Sequence, residues 1–460
     1  MTVSMIAKRS DPWLSATMLV VSVATLGRAL QVGDGILKDG TIPWLAIALA
    51  TCAVGALAPL PRGRASYGRA ELVGVIGAVL AWQTIEMFTR TPFNELSDVS
   101  AWFGRYQVGV IGAGLLAGAA LVAPGWLRHA CFALLLVSYV ILGASVLRLA
   151  REPHLDDVYT FQRDAAEALA RGENPYALTF TAVIGPEWYG PGLWDNGRLL
   201  FGYPYMPLTL LLAWPGQALA GDYRYALLAA MALSAMLIAY APRRPGVVSF
   251  GAAAMLLLMP RAMYVLERGW SEPLVVLLLA ATVFCALRLP RAMPWVLGLY
   301  LASKQYVPFG LGAAAMLVAQ PLTARAAVTA FGKALLTAAV VTLPFVLWDA
   351  RAFWHSAVAL QFNQPFRWDS LSFLAWMRGG DRSPLPAPLL AVPFVAVAAA
   401  TALVLWRCRH TAAGFAAGTA LVFFAFFAFN KQAFANYYYF VTGAMCCAVA
   451  SAVPDDRVEA

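Results

Sequence analysis

The sequence predicts an all-α protein, a polytopic transmembrane helical bundle of about 13 spans. Three observations carry this prediction. First, the 460 residues are 61% hydrophobic and only 12% charged, against about 25% charged in a typical soluble domain. Second, apolar runs recur near the length that crosses a bilayer, about 20 residues. Third, the strict alternation of half-buried strands is missing, and an open sheet would leave backbone polar groups unpaired in lipid.

The first five apolar runs lie near residues 13–32, 42–60, 70–89, 106–124 and 129–149. Lys8 and Arg9 precede the first run, Arg62, Arg64 and Arg69 join the second to the third, and Arg128 separates the fourth from the fifth. The bias of basic loops toward the cytoplasm places these residues, and the N-terminus, inside. The first run has no small-x-small cleavage site after it and reads as an uncleaved span. Five spans then bring the chain to the outer face at His154-Leu155-Asp156-Asp157-Val158-Tyr159.

A polar excursion follows, at about 151–204. Its opening is amphipathic, with Val158, Phe161, Ala165 and Leu169 on one helical face and Arg163, Asp164 and Glu167 on the other. Gly172 suits the C-terminal cap, and Asn174-Pro175 cannot continue the helix. Such a helix is expected to lie in the membrane interface. Further runs centre on 205–220, 223–241, 247–260, 271–288, 293–319 and 327–347. The run ending at Ala220 is expected to be short or re-entrant. The run at 293–319 holds Lys304, Gln305 and Pro308, which predicts two shorter helices meeting at Lys304. A second polar excursion, about 349–386, precedes the last three runs near 387–406, 411–429 and 436–453.

The net charge of +9 is expected from cytoplasmic arginines facing anionic lipid head groups. No dense basic stripe points to nucleic acid. The six cysteines sit in or beside apolar runs without zinc-ligand spacing, so neither a disulfide framework nor a zinc site is expected.

On this topology the outer face gathers Asp156, Asp157, Glu267, Arg268, Lys304, His355, Arg367, Asp369 and Lys431. Two adjacent carboxylates at the mouth of a membrane helix are costly without water or a partner, and such residues mark functional sites. Acids and bases together at head-group depth suit a substrate that is part lipid, part phosphate and part sugar. Cations would hold the phosphate, an acid would act on a hydroxyl, and apolar helices would hold the tail. Each group also has a plainer reading. Glu267–Arg268 and Arg367–Asp369 can be ion pairs, Lys304 can snorkel, Lys431 can anchor a helix end, His355 can be an interfacial hydrogen-bonding residue, and Tyr437, Tyr438 and Tyr439 can be an aromatic belt.

Several segments resemble a known group. The outer-face acid after a membrane helix, Gly172-Glu173-Asn174-Pro175-Tyr176, Phe201-Gly202-Tyr203-Pro204-Tyr205-Met206-Pro207-Leu208, Lys304-Gln305-Tyr306 and Lys431-Gln432-x-Phe434-x-Asn436-Tyr437-Tyr438 are similar to the GT-C superfamily of integral-membrane glycosyltransferases. The likeness is greatest to glycosyltransferase family 87, the polyprenol-phosphate-mannose-dependent mannosyltransferases. It covers about Leu127 to the C-terminus. On that resemblance, 128–460 is a GT-C-like catalytic transmembrane domain, and 1–127 is an added transmembrane module with no assigned role.

The resemblance implies inverting transfer of a hexose, mannose by analogy, from a polyprenyl-phosphate carrier to a lipid or glycan hydroxyl on the extracytoplasmic side of the cell membrane. Asp156 or Asp157 would be the general base, since a carboxylate within hydrogen-bond reach can take the hydroxyl proton as the bond forms. Their side chains diverge, so only one can face the reaction centre. The expected substrate contacts are Tyr159, Glu267, Arg268, Lys304, Gln305, His355, Arg367, Lys431, Gln432, Asn436 and Tyr437. No cofactor is expected, since the lipid-linked sugar is a substrate. No obligatory metal is expected either, because the acids are adjacent rather than spaced Asp-x-Asp. The expected partners are the lipid-linked donor, the acceptor and membrane lipids. The main rival is a secondary transporter or flippase for a sugar or lipid-linked glycan. A polysaccharide polymerase or ligase is a second rival. Long loops on one side only argue for an enzyme.

Overall fold

A computed structural model describes residues 12–57, 68–92, 100–150, 157–318 and 323–452. Asp156 lies outside the described residues. The protein is all-α, with a single hairpin of two-residue strands, β1 (Trp194–Asp195) and β2 (Arg198–Leu199), in the described part.

The first half of the bundle comprises α1 (Pro12–Gly33), α2 (Thr41–Leu57), α3 (Arg69–Thr89), α4 (Ser100–Val122) and α5 (Gly125–Leu149). The first polar excursion holds α6 (Asp157–Ala170). Then follow α7 (Pro207–Ala220), α8 (Arg224–Tyr240), α9 (Val247–Leu257), α10 (Ala262–Glu267), α11 (Glu272–Arg288), α12 (Met293–Leu301) and α13 (Leu311–Ala314). The long α14 (Ala324–Trp348) leads into the second excursion, with α15 (Ala350–Phe353), α16 (Leu360–Asn363) and α17 (Phe373–Met377). The chain closes with α18 (Ala387–Leu390), α19 (Val392–Arg407), α20 (Ala412–Ala428) and α21 (Ala435–Ala452).

Among the described residues, six helical segments are long and apolar enough to cross a membrane: α1, α3, α4, α5, α14 and the α18–α19 run. The 25 residues of α5, at 1.5 Å each, extend about 37 Å, more than the roughly 30 Å hydrocarbon core. A seventh span results if α7 and α8, which meet at 117°, count as one. That bend falls where the sequence predicts a short or re-entrant run, and Gly221 supplies the turn at φ +69°. Other apolar runs are broken by their own chemistry. The helix at 247 ends before Pro260 and Arg261, the latter at φ +71°. As expected from Lys304 and Pro308, the run at 293–319 splits: α12 stops at Leu301, and short turns follow Lys304.

One continuous hydrophobic core runs from Ala16 in α1 to Ala450 in α21. Within it α1 packs on α2 and α21, α3 and α4 on α9, and α20 on α21. The helices α1–α4 are therefore seated directly on the helices of the C-terminal part.

The first excursion builds a cap over one end of the bundle. The helix α6 buries Tyr159, Phe161, Gln162, Ala165, Ala166 and Ala168. It ends at Gly172, φ +76°, where Glu173 N–H donates to Ala168 O at 2.9 Å, a Schellman-type closure. Asn174 Oδ1 then accepts from Tyr176 N–H at 3.0 Å and caps a tight turn over Pro175–Ala177. Phe161, Phe180, Leu199 and Phe201 form a small core of their own in this cap.

Candidate substrate-binding site at one end of the bundle

Two cavities adjoin beneath the cap. The first, about 490 Å³, is lined by charged and aromatic side chains, among them Asp34, Lys38, Asp157, Trp188, Arg268, Lys304, Arg367, Asp369, Asn436 and Tyr437. The second, about 500 Å³, is mostly apolar, with Tyr306, Phe309, Phe362, Leu390, Phe394, Phe426 and Phe427 in its walls. Phe309, Phe362, Leu390 and Phe394 are also exposed on the bundle surface. Tyr205, Lys304, Gln361, Gln364, Gln432 and Tyr437 line both cavities, and so form the seam between them.

The elements that deliver these groups all end at the same side. The loop after α1, the start of α6, the start of α11, the end of α12 and the loop between α20 and α21 reach it. The opposite end of α11 carries Arg288, which donates to Arg243 O at 3.0 Å. The polar cavity and Arg288 thus lie at opposite ends of α11.

Asp157 is the first residue of α6. Burial pushes its carboxyl above the usual carboxylate range, and the nearby Arg367 guanidinium and the backbone N–H groups of Val158 and Asp157 offset this only in part. The start of α6 is fixed by Arg224, whose side chain is wholly buried. Arg224 donates to Ala150 O at 2.6 Å and Glu267 O at 2.8 Å, is bidentate to Asp222, and lies 4.8 Å from the Tyr159 ring centroid. It ties the end of α5, the start of α8 and the end of α10 to one another beside α6. Tyr159 is consumed in this packing and lines neither cavity.

Arg367 is held flat. Its guanidinium makes two bonds to Asp369, at 2.9 and 2.8 Å, and sits 4.5 Å and 4.8 Å from the Trp188 and Phe434 ring centroids. The ion pair read as the plainer alternative is therefore present, and it faces the polar cavity. Arg268 lies beside Glu267 at 3.3 Å and over the Tyr264 ring. Arg268 lines the polar cavity, whereas Glu267 lines neither.

Lys304 sits at the seam but does not snorkel. It is 5% exposed; its ammonium donates to Ser271 Oγ at 2.9 Å and Glu272 Oε1 at 2.5 Å, and lies 4.7 Å from the Tyr205 ring centroid. Gln305 and Gln361 both donate to Pro204 O, at 2.5 and 3.0 Å. Lys431 donates to Phe362 O at 3.1 Å and Gln364 O at 2.6 Å, capping the end of α16. Burial lowers its pKa to about 8. Gln432 donates to Pro365 O at 3.1 Å. The His355 ring contacts Leu200 O at 2.9 Å and stands off both cavities, joining the two excursions instead.

Asn436 differs from these. It is 6% exposed, lines the polar cavity, and its buried Oδ1 has no hydrogen-bond partner in the protein. Buried acceptors are almost always satisfied, and because Asn436 lines the cavity this atom is available there to a donor group. Among the described residues no group of three or more His, Cys, Asp or Glu side chains gathers to hold a metal.

The chain matches no family model, no curated protein and no solved structure in the comparisons made. The site must stand on its own geometry.

Of the residues expected from the sequence, Asp157, Arg268, Lys304, Arg367, Asp369, Gln432, Asn436 and Tyr437 line the polar cavity, and Gln305 and Lys431 line the apolar one. Tyr159, Glu267 and His355 line neither. Sequence reading missed Asp34, Lys38, Trp188 and Gln361 in the walls, and Glu272 and Arg224 behind them. Glu272 carried a readable signal, because Ser271-Glu272-Pro273 places an acid in the first turn of an apolar run.

Proposed function

We propose that the protein is a GT-C-like membrane glycosyltransferase that moves a hexose from a polyprenyl-phosphate carrier to a lipid or glycan hydroxyl. One observation carries the reading. A polar cavity with a carboxyl, guanidinium groups and an unpartnered amide oxygen meets an apolar cavity of similar size, and a buried lysine stands at their seam. A lipid phosphate sugar has the same division, with an isoprenoid tail, a phosphate and a polar ring in sequence.

In this reading the apolar cavity takes the first isoprene units and the phosphate lies at the seam. Lys304 and Arg367 stabilise the charge that develops on the departing phosphate, an electrostatic contribution that grows in a water-poor site. Asn436 Oδ1 accepts from a hydroxyl of the sugar. Asp157 takes the proton of the acceptor hydroxyl as its oxygen attacks the anomeric carbon from the face opposite the phosphate, so the configuration inverts. A raised pKa makes Asp157 a stronger base than an ordinary aspartate, provided the pH is high enough to ionise it. Asp156, adjacent in sequence, is the other candidate for this role. The site would face the extracytoplasmic side, with the arginine-rich end in the cytoplasm by the basic-loop bias, and the broken apolar runs would complete about 13 spans.

The test supplies purified protein with radiolabelled polyprenyl-phosphate mannose, glucose or arabinose and a native lipid extract. Label should move to a single new product, and Asp157→Asn should stop it while the protein stays folded in detergent. Near-normal turnover in Asp156→Asn, Asp157→Asn and the double variant would remove the proposed base. Movement of the intact donor across vesicles without transfer would favour a flippase instead.

A further inference from the structure

What the wall of the polar cavity leaves uncommitted is neutral rather than charged. Among the described residues its lysines and arginines are Lys38, Arg268, Lys304 and Arg367. Each has a carboxylate beside it: Asp34 at 2.6 Å, Glu267 at 3.3 Å, Glu272 at 2.5 Å and Asp369 at 2.8 Å, in that order. By contrast, the side chains of Asn436, Tyr437 and Gln364 line the same cavity and make no hydrogen bond to another described residue. Asn436 is the sharpest case. It is 6% exposed, and a buried amide left without partners is costly.

Asn436 and Tyr437 are held in place by the protein alone. Both belong to the first turn of α21. That turn packs on the loop between α1 and α2, where a Cβ at Gly35 would stand 2.7 Å from Ala435 Cβ. It is also tied to the second excursion: Tyr438 OH donates to Leu371 O at 2.5 Å, and Leu371 N–H donates to Ala433 O at 2.8 Å. The Tyr437 ring lies against Phe427 and Tyr306, with centroids at 4.7 and 5.9 Å. An asparagine amide offers an acceptor and a donor side by side. Two adjacent hydroxyls of one ring satisfy both ends at once, one donating to Oδ1 and its neighbour accepting from Nδ2. The Tyr437 hydroxyl can donate or accept, and its side chain lines the apolar cavity as well as the polar one.

We propose that the first turn of α21 is a subsite for a polyhydroxylated ring, in which the Asn436 amide takes a vicinal diol and the Tyr437 hydroxyl takes an oxygen on the side of the ring nearer the apolar cavity. The ligand class is a sugar with at least two adjacent free hydroxyls. A ring of the same size without hydroxyls would leave the buried Asn436 amide unsatisfied and gains nothing from this wall. The inference rests on the transfer reading only in naming the ring the sugar of the lipid-linked donor.

The test uses the full chain in phosphatidylcholine nanodiscs and isothermal titration calorimetry. The probes are the farnesyl phosphodiesters of mannose, glucose and arabinose, and farnesyl cyclohexyl phosphate, which has the same tail and charge but a ring without hydroxyls. The tightest sugar diester should bind about tenfold or more tightly than the cyclohexyl diester. Asn436→Leu should cut that ratio to about twofold or less, and Tyr437→Phe, which removes one oxygen, should cut it about threefold. The cyclohexyl diester should change less than about twofold in both variants, as expected for groups that touch only the ring. A ratio near one in wild-type protein, or a ratio that survives in both variants, would overturn the proposal. Parallel loss of the cyclohexyl diester in variants with unchanged circular dichroism would place these residues in the phosphate or tail site and overturn it too. Normal sugar transfer by Asn436→Leu would overturn the subsite while the transfer reading stands. If no farnesyl diester binds wild-type protein, but a methyl glycoside of one of these sugars binds and is lost in Asn436→Leu, the donor reading fails and the subsite stands.

Discussion

Removing the charge of Glu272 should destabilise the protein strongly, and removing its partner as well should restore most of the loss. Glu272 is fully buried, and Lys304 is 5% exposed. At the observed 2.5 Å and an effective dielectric near 20, their attraction is about 7 kcal/mol. Desolvating each ion costs several kcal/mol, so the pair nets little against an apolar replacement. Breaking it is different. Glu272→Gln leaves the ammonium with no counter-charge, only neutral acceptors and the Tyr205 ring, and Lys304→Met leaves a buried carboxylate with Tyr306 OH at 3.4 Å and an Oε2 already unpartnered. Each single variant should lose about 3–5 kcal/mol. The double variant Glu272→Gln/Lys304→Met should lose far less than the sum, with a coupling energy of about 3 kcal/mol. Reversible unfolding in dodecylmaltoside micelles titrated with SDS, followed by circular dichroism, measures all four proteins. Coupling below about 1 kcal/mol would mean that water screens the pair, and the account of a dry, preset lysine at the seam would fall.

Three further outcomes follow from single positions. Asn436→Leu should reduce sugar transfer about tenfold or more yet change unfolding stability by less than about 1 kcal/mol, because the lost acceptor has no protein partner; a large stability loss would make Asn436 structural. Gly202→Ala should destabilise by about 1–3 kcal/mol, since its Cβ would stand 2.2 Å from Tyr176 O, and a neutral result in the same SDS titration would show that the two loops are not locked. Lys431 should lose its charge near pH 8; because its folded pKa is below the unfolded value, the cost of burying that charge is relieved and stability rises between about pH 8 and the ordinary lysine range, whereas a flat profile that Lys431→Met does not alter would refute the assignment.

The membrane-helical class was legible because long apolar runs and sparse charge need no tertiary context. The broken runs were legible too, since Lys304 and Pro308 interrupt an apolar stretch in ways that lipid cannot satisfy. The site was legible in part. Charges at span ends can be sorted to one face by the basic-loop bias, and Asp157, Arg367 and Lys304, grouped that way, line one cavity. Whether a given charge faces a ligand or another side chain depends on contacts far apart in sequence. Lys304 meets Glu272, Arg224 meets Ala150, and Asp34 meets Arg261. No local spacing encodes those meetings, so Arg224 and Asp34 escaped notice, and only Glu272 left a local sign, an acid in the first turn of an apolar run. Tyr159 and His355 were included for the opposite reason: a polar side chain beside a site has the same local sequence whether it faces the cavity or braces its wall.

The loop motifs that suggested a family do mechanical work first. Asn174 caps its own turn, Pro175 O accepts from Tyr203 N–H at 2.9 Å, and Tyr176 OH donates to Tyr205 O at 2.9 Å. Ser356 Oγ accepts from Gly202 N–H and donates to Tyr176 O, at 2.9 and 3.1 Å, locking the second excursion to the first. Tyr203 OH reaches back to Gln162 of α6 at 2.6 Å. The product of this lattice is the position of the Pro204 carbonyl, where the Gln305 and Gln361 amides converge at the seam. Residues that look like a binding motif thus need not touch the ligand at all. They set the height of the partition between a greasy cavity and a charged one, and in the proposed reading its position decides which bond of a lipid-linked substrate would lie opposite Asp157.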